Sequence, residues 1–246
     1  QDVQAVTQAA FIAHAALLVF AAAASVYLAR SPQRRPALRR AAYWGGMLTI
    51  ALMVSLTVVG VLSWDLFFDT FYRNYFTEED ARYIASLGLN LVRIPVNYRL
   101  FEDDMNPRVV KRDGFTYLDR VVTLCAEQRI YTIIDLHALP GYQNQHWHSD
   151  NPTHKALLWK HKDFQDRTVV LWEAIARHYR DEPWVAGYDL INEPADPTGQ
   201  RVVPFFQRLK DAIRKVDPAH ILFIEGNTYA REFGMFDPAW KNVVYT

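Results

Sequence analysis

Four short apolar runs in this chain each end in a side chain able to do chemistry. Arg93 and Asn97 close the first, His137 the second, Asn192 and Glu193 the third, and Glu225 the fourth. The tetrapeptide Ile191-Asn192-Glu193-Pro194 is the most informative of these. Its carboxylate directly follows a buried run, and desolvation favours the neutral acid form that a proton donor needs. Pro194 ends the run and fixes the backbone behind the glutamate. The bare Asn-Glu-Pro triplet is also an ordinary strand-ending turn, so its weight comes from the neighbours that the fold gathers around it.

The elements that must do the gathering are legible from residue 69 onward. Thr77 is an N-cap with Glu78, Glu79 and Asp80 in the first turn, and Gly88 is a natural helix stop. A strand over 89–95 follows, then a helix over 117–128, a strand over 130–136, a helix over 168–179 and a strand over 185–191. A helix over 201–216, a strand over 221–224 and a last strand beginning at Asn242 complete the pattern. Alternating apolar strands and helices imply parallel βα units covered on both faces. No glycine-rich phosphate loop follows any strand, which weakens a nucleotide-binding sheet. Polar residues at the C-terminal ends of four successive strands fit a (β/α) barrel, whose active site lies on that face.

The first 64 residues read differently. No acidic residue stands between Asp2 and Asp65, and two apolar runs, 6–29 and 41–64, each hold roughly 24 residues without Lys, Arg, Asp or Glu. A spanning helix needs about 20. Arg30, Arg34, Arg35, Arg39 and Arg40 lie between the runs, and arginine-rich short loops stay cytoplasmic. The expectation is a transmembrane helical hairpin over 1–64 that has the lipid bilayer as partner. The second region, 65–246, would then sit at the membrane on the extracytoplasmic side. The chain begins with Gln1, not methionine, which raises the prospect of a fragment. The formal net charge of +0 gives no reason to expect nucleic acid. Cys125, the single cysteine, reads as an inert core thiol. His146, His148 and His154 lack metal-ligand register and read as solvated loop histidines, so no metal is expected.

Three motifs together, Leu91-Val92-Arg93-Ile94-Pro95, Asp135-Leu136-His137-Ala138-Leu139-Pro140-Gly141 and Ile191-Asn192-Glu193-Pro194, resemble glycoside hydrolase family 5, the cellulase family. Their order and spacing match the second, third and fourth strands of that family's barrel, so the resemblance implies a partial (β/α)8 TIM barrel in the α/β class. It further implies a retaining β-glycosidase without a cofactor, acting on β-linked glucans or their oligosaccharides. Glu193 would be the acid/base and Asn192 its substrate-orienting neighbour. Arg93 would hold the nucleophile region, and His137 would touch the sugar. Gln143, Asn144 and Trp147 would line the substrate cleft. In the family the nucleophile is a glutamate after the seventh strand, whereas this chain reaches only the start of the sixth. Glu225 is the one other late strand-end carboxylate, and it reads as a hydrogen-bonding group. Two alternatives follow from that gap. One is a non-catalytic carbohydrate-binding or membrane scaffold protein that keeps part of the cleft. The other is a join between unrelated coding segments.

Overall fold

The structure is a computed structural model that describes residues 36–236 and 239–246, together with a few positions between 19 and 30. By internal contacts the chain divides into Gln1–Tyr72 and Arg73–Thr246.

Helix α1 spans Pro36–Asn74, all but its last two residues belonging to the first unit. Arg73 suits the negative end of the helix dipole. The helix does not stop at Trp64, where the sequence suggested a boundary. It runs on through Asp65, Asp69 and Arg73, so its apolar stretch is only part of a helix that carries charge at both ends. The expected pair of transmembrane helices is not found: among the described residues no helix is long and apolar enough to cross a membrane. The first apolar run, 6–29, lies almost wholly outside the described residues.

The second unit begins with α2, Glu78–Ser86. Its capping box is complete: the Asp80 N–H donates to Thr77 Oγ1, and the Thr77 N–H donates to Asp80 Oδ2 at 2.8 Å. Gly88 follows with φ +76°, a conformation that suits glycine. Next come β1 (Leu91–Asn97), α3 (Thr116–Glu127), β2 (Tyr131–Ala138), α4 (Lys162–Tyr179), β3 (Val185–Asp189), α5 (Val202–Val216), β4 (Ile221–Ile224) and β5 (Val243–Tyr245). Helix α4 starts six residues before the expected Thr168, because Asp163 and Lys162 add a polar turn that hydrophobic spacing does not reveal.

The five strands are all parallel, in the spatial order β1-β2-β3-β4-β5. A doubly wound sheet reverses its order at a switch point; this one advances in a single direction, as a barrel wall does. Register decides which side chains meet. Pro95 pairs with Asp135, Asp135 with Asp189, and Asp189 with Phe223. Because strand side chains alternate, Arg93 lies on the same face as Pro95, and Glu225, two residues beyond Phe223, continues that face past the strand end. One face of the sheet therefore collects Arg93, Asp135, His137, Asp189 and Glu225. The other packs against α4 and α5 through buried Trp172, Leu171, Ile175, Phe206, Leu209 and Ile213.

Candidate active site

Arg93 is the centre of the polar face. Its Nε donates to Asp189 Oδ2 at 2.8 Å, and its Nη2 donates to Asn192 Oδ1 and to Glu225 Oε1, each at 2.8 Å. Asp135 Oδ2 lies 3.1 Å from the same nitrogen. One cation thus faces three carboxyl groups, all three buried. Burial, reinforced by Asp135 and Glu225, pushes the Asp189 carboxyl well above its ordinary range despite Arg93. Burial likewise raises Glu225, against the Glu193 N–H and Arg93, which favour its charged form. His137 is tied to the same cluster through Nδ1, 2.7 Å from Asp135 Oδ2. Asp135 and Asp189 were not singled out in the sequence, although Asp135 stands one strand period before His137 and could have been found that way.

Glu193 sits just past β3 in an unusual backbone state, with φ +45°. A non-glycine residue held there costs of order 1–3 kcal/mol and persists only where its surroundings over-determine it. The surroundings do so here: the Glu193 N–H donates to Glu225 Oε2 at 2.6 Å, and the Glu193 carbonyl accepts from Asn144 Nδ2 at 3.0 Å. The Glu193 side chain stays 39% exposed, so following a buried strand does not bury it. Glu225 is engaged through both oxygens, by Arg93 and by the Glu193 N–H, and is almost wholly enclosed.

Gln143 and Asn144 do not line a cleft, contrary to expectation. Both are fully buried, because their amides satisfy main-chain groups that the loop after β2 would otherwise leave unpaired. Gln143 Nε2 donates to the carbonyls of His137 (2.7 Å) and Asn192 (3.0 Å), and its Oε1 accepts from the Leu139 N–H. Trp159 Nε1 donates to the Gln143 carbonyl at 2.8 Å. Trp147, by contrast, is 82% exposed, its ring meeting His148 edge-on. Asn192 shares Arg93 through its oxygen, while its Nδ2, though buried, has no acceptor among the described residues.

The loop histidines divide. His154 is on the surface, with Nδ1 near the Gln145 carbonyl. His148, expected in solvent, instead places Nε2 3.2 Å from Glu193 Oε2. Its ring is stacked on His146, and His146 meets Tyr229 edge-on. No local pattern announces this, since a loop has no register to read. Beyond Tyr229 a cavity of about 370 Å³ opens, lined by Gln145, Asp196, Thr198, Asn227, Tyr229 and Glu232.

Comparison with known proteins agrees with this arrangement. The family model described as cellulase (glycosyl hydrolase family 5) matches residues 57–246. A beta-xylosidase of Phanerodontia chrysosporium is 53% identical over 191 residues, covering 76% of this chain and 40% of that protein. Endoglucanase C of Acetivibrio thermocellus is 32% identical over 162 residues, covering 66% of this chain and 44% of its own. The chain therefore spans less than half the length of these curated relatives. Among solved structures, one described as a glycoside hydrolase superposes with a TM-score of 0.57 at 27% identity, over 65% of this chain and 49% of that one. A rutinosidase from Aspergillus niger reaches 0.60 at 19% identity, over 71% and 54%, and so speaks for the fold alone. The parallel sheet, the carboxylate-arginine cluster at its strand ends and the family match together make this chain a member of glycosyl hydrolase family 5, the cellulase family.

Proposed function

We propose that the chain carries the acid/base side of a retaining β-glycosidase for β-linked glucans and their oligosaccharides, with Glu193 as proton donor and acceptor. The observation that carries the reading is the convergence of Arg93, His137, Asn192 and Glu225 around an exposed, conformationally held Glu193 at the strand ends. In this reading Asn192 Nδ2, buried and without an acceptor among the described residues, donates to a sugar hydroxyl. His137 contacts the same sugar, and Trp147 stacks on a more distant one. A retaining mechanism needs a second carboxyl group about 5–5.5 Å from the first. Asp135, Asp189 and Glu225 are committed to Arg93, so the nucleophile comes from outside the five strands.

Hydrolysis of a panel of β-1,3- and β-1,4-glucans, with β-xylosides added because of the beta-xylosidase relative, tests the proposal. Glu193→Gln is expected to lower turnover by about a hundredfold or more; retention of more than roughly a tenth of the rate rejects Glu193 as the acid/base. Calorimetry showing saturable oligosaccharide binding with no product would instead establish a carbohydrate-binding protein without turnover. The proposal also places the hydrolase region on the extracytoplasmic side of a membrane. That part rests on the arginines between the two apolar runs. Release of the protein by alkaline carbonate, without detergent, would reject it.

A further inference from the structure

His148 is set beside Glu193 by more than chance proximity. It lies in the short turn Trp147–Ser149, and that turn is anchored on both sides. On one side the Asn144 side chain accepts from the His146 N–H at 2.9 Å and donates to the Glu193 carbonyl, so turn and glutamate share one brace. On the other, Asp150 accepts from Asn97 Nδ2 and pairs with Arg99 near the end of β1. The ring orientation is fixed by parallel stacking on His146, at 5.7 Å between centroids and 13° between planes. The titratable groups around His148 are Glu193, His137 and His146, with Asp135 behind His137.

We infer that His148 is the positioning residue of the acid/base: its Nε2, 3.2 Å from Glu193 Oε2, is placed to turn its N–H onto that oxygen, so that the transferable proton rides on Oε1. The inference rests on the reading of Glu193 given above. Burial, with His137 and His146 alongside, holds the His148 imidazole below its ordinary value against the pull of Glu193, which keeps the ring neutral and able to donate through a single nitrogen. A carboxyl group whose Oε2 already accepts a hydrogen bond carries its own proton on the other oxygen. During cleavage the glycosidic C–O bond breaks and its electron pair remains on the leaving oxygen. That oxygen takes the proton from Oε1 while the second carboxylate bonds to the anomeric carbon. Glu193 is left as a carboxylate, with His148 still donating to it. Water later returns the proton to the same oxygen as it releases the sugar.

Two substitutions separate this role from simple packing. His148→Phe keeps the ring against His146 and removes the donor; His148→Gln keeps an N–H donor and loses the ring. The full-length protein is assayed on aryl β-glycosides with good (2,4-dinitrophenyl) and poor (4-methylphenyl) leaving groups, across pH. We expect His148→Phe to lower kcat/KM roughly tenfold or more on the poor leaving group and less than about threefold on the good one. We also expect the basic limb of its pH profile to move up by about one to two units, the worth of one hydrogen bond to a carboxylate, with His148→Gln close to wild type. Equal losses on both substrates, an unmoved basic limb, or His148→Gln impaired while His148→Phe is not would overturn the inference. Glu193→Gln runs alongside. If it shows no dependence on the leaving group, the acid/base reading itself fails; if it does and His148→Phe does not, only the inference fails.

Discussion

Replacing Arg93 with methionine removes the guanidinium that, among the described residues, faces all of Asp135, Asp189 and Glu225, while leaving the volume nearly unchanged. At an effective dielectric of about 20, a unit charge pair about 4 Å apart is worth about 4 kcal/mol. Three such terms do not add, because the carboxyl groups repel one another and the Arg93 side chain is itself 39% exposed. With screening allowed for, a net loss of about 3 kcal/mol is expected near neutral pH, a large share of the roughly 5–15 kcal/mol that holds a domain together. The pH dependence gives the sharper test. Folded-state values above the unfolded ones, as for Asp189 and Glu225, mean that the folded form binds more protons. Their contribution is then fully favourable below the ordinary carboxylate range and is lost as pH rises through the raised folded values. Without Arg93 those values rise further, so the deficit of Arg93→Met should be small at pH 4 and grow toward pH 8. Urea unfolding at several pH values measures this directly. A deficit below about 1 kcal/mol at pH 8, or one equal at both ends of the range, would refute the account of the cluster as one arginine balancing three buried acids.

Three further outcomes are expected. Asn144→Ala removes a buried amide that bonds both the Glu193 carbonyl and the His146 N–H; it should cost about 1–3 kcal/mol by thermal unfolding, and in an active full-length protein it should lower kcat more than it raises KM. Gly141, at φ +75°, has no room for a Cβ because the Phe164 ring occupies that place. Gly141→Ala should therefore destabilise by roughly 1–3 kcal/mol, and Phe164→Ala in the same chain should restore only the steric part, as a double-mutant cycle will show. Burial pushes the Cys125 thiol up to about 11, so labelling by a thiol reagent at pH 8 should follow global unfolding, and fast labelling of the native protein would contradict its buried placement.

How much of this was readable in the sequence depended on whether a signal was periodic. The Thr77 capping box, the glycine stop at Gly88 and the alternation of strand and helix all follow local rules, and apart from the early start of α4 the structure places those elements within about two residues of expectation. The polar residues at strand ends were equally visible, because each interrupts an apolar run. What escaped depends on contacts between distant segments. Nothing near Gln143 or Asn144 shows that their amides turn inward to serve the backbone of Asn192 and Glu193, some fifty positions later. A loop amide looks the same whether it faces a ligand or the protein. His148 was missed for the same reason. The membrane hairpin rests on hydropathy and on the arginines between the two runs, and neither reveals that one helix continues past Trp64 into charged turns.

The loop between β2 and α4 separates its anchor from its working surface. Gln143 and Asn144 are enclosed and clamp the main chain beside the glutamate, whereas Trp147, a few residues on, projects outward. Changes at the tip can therefore alter what the protein grips without shifting the group that would cleave it. On the proposed function, a library confined to the outer residues of this loop, with the two buried amides held constant, would explore new sugar preferences around an unmoved Glu193. The same library opened to the amides would mostly misalign it.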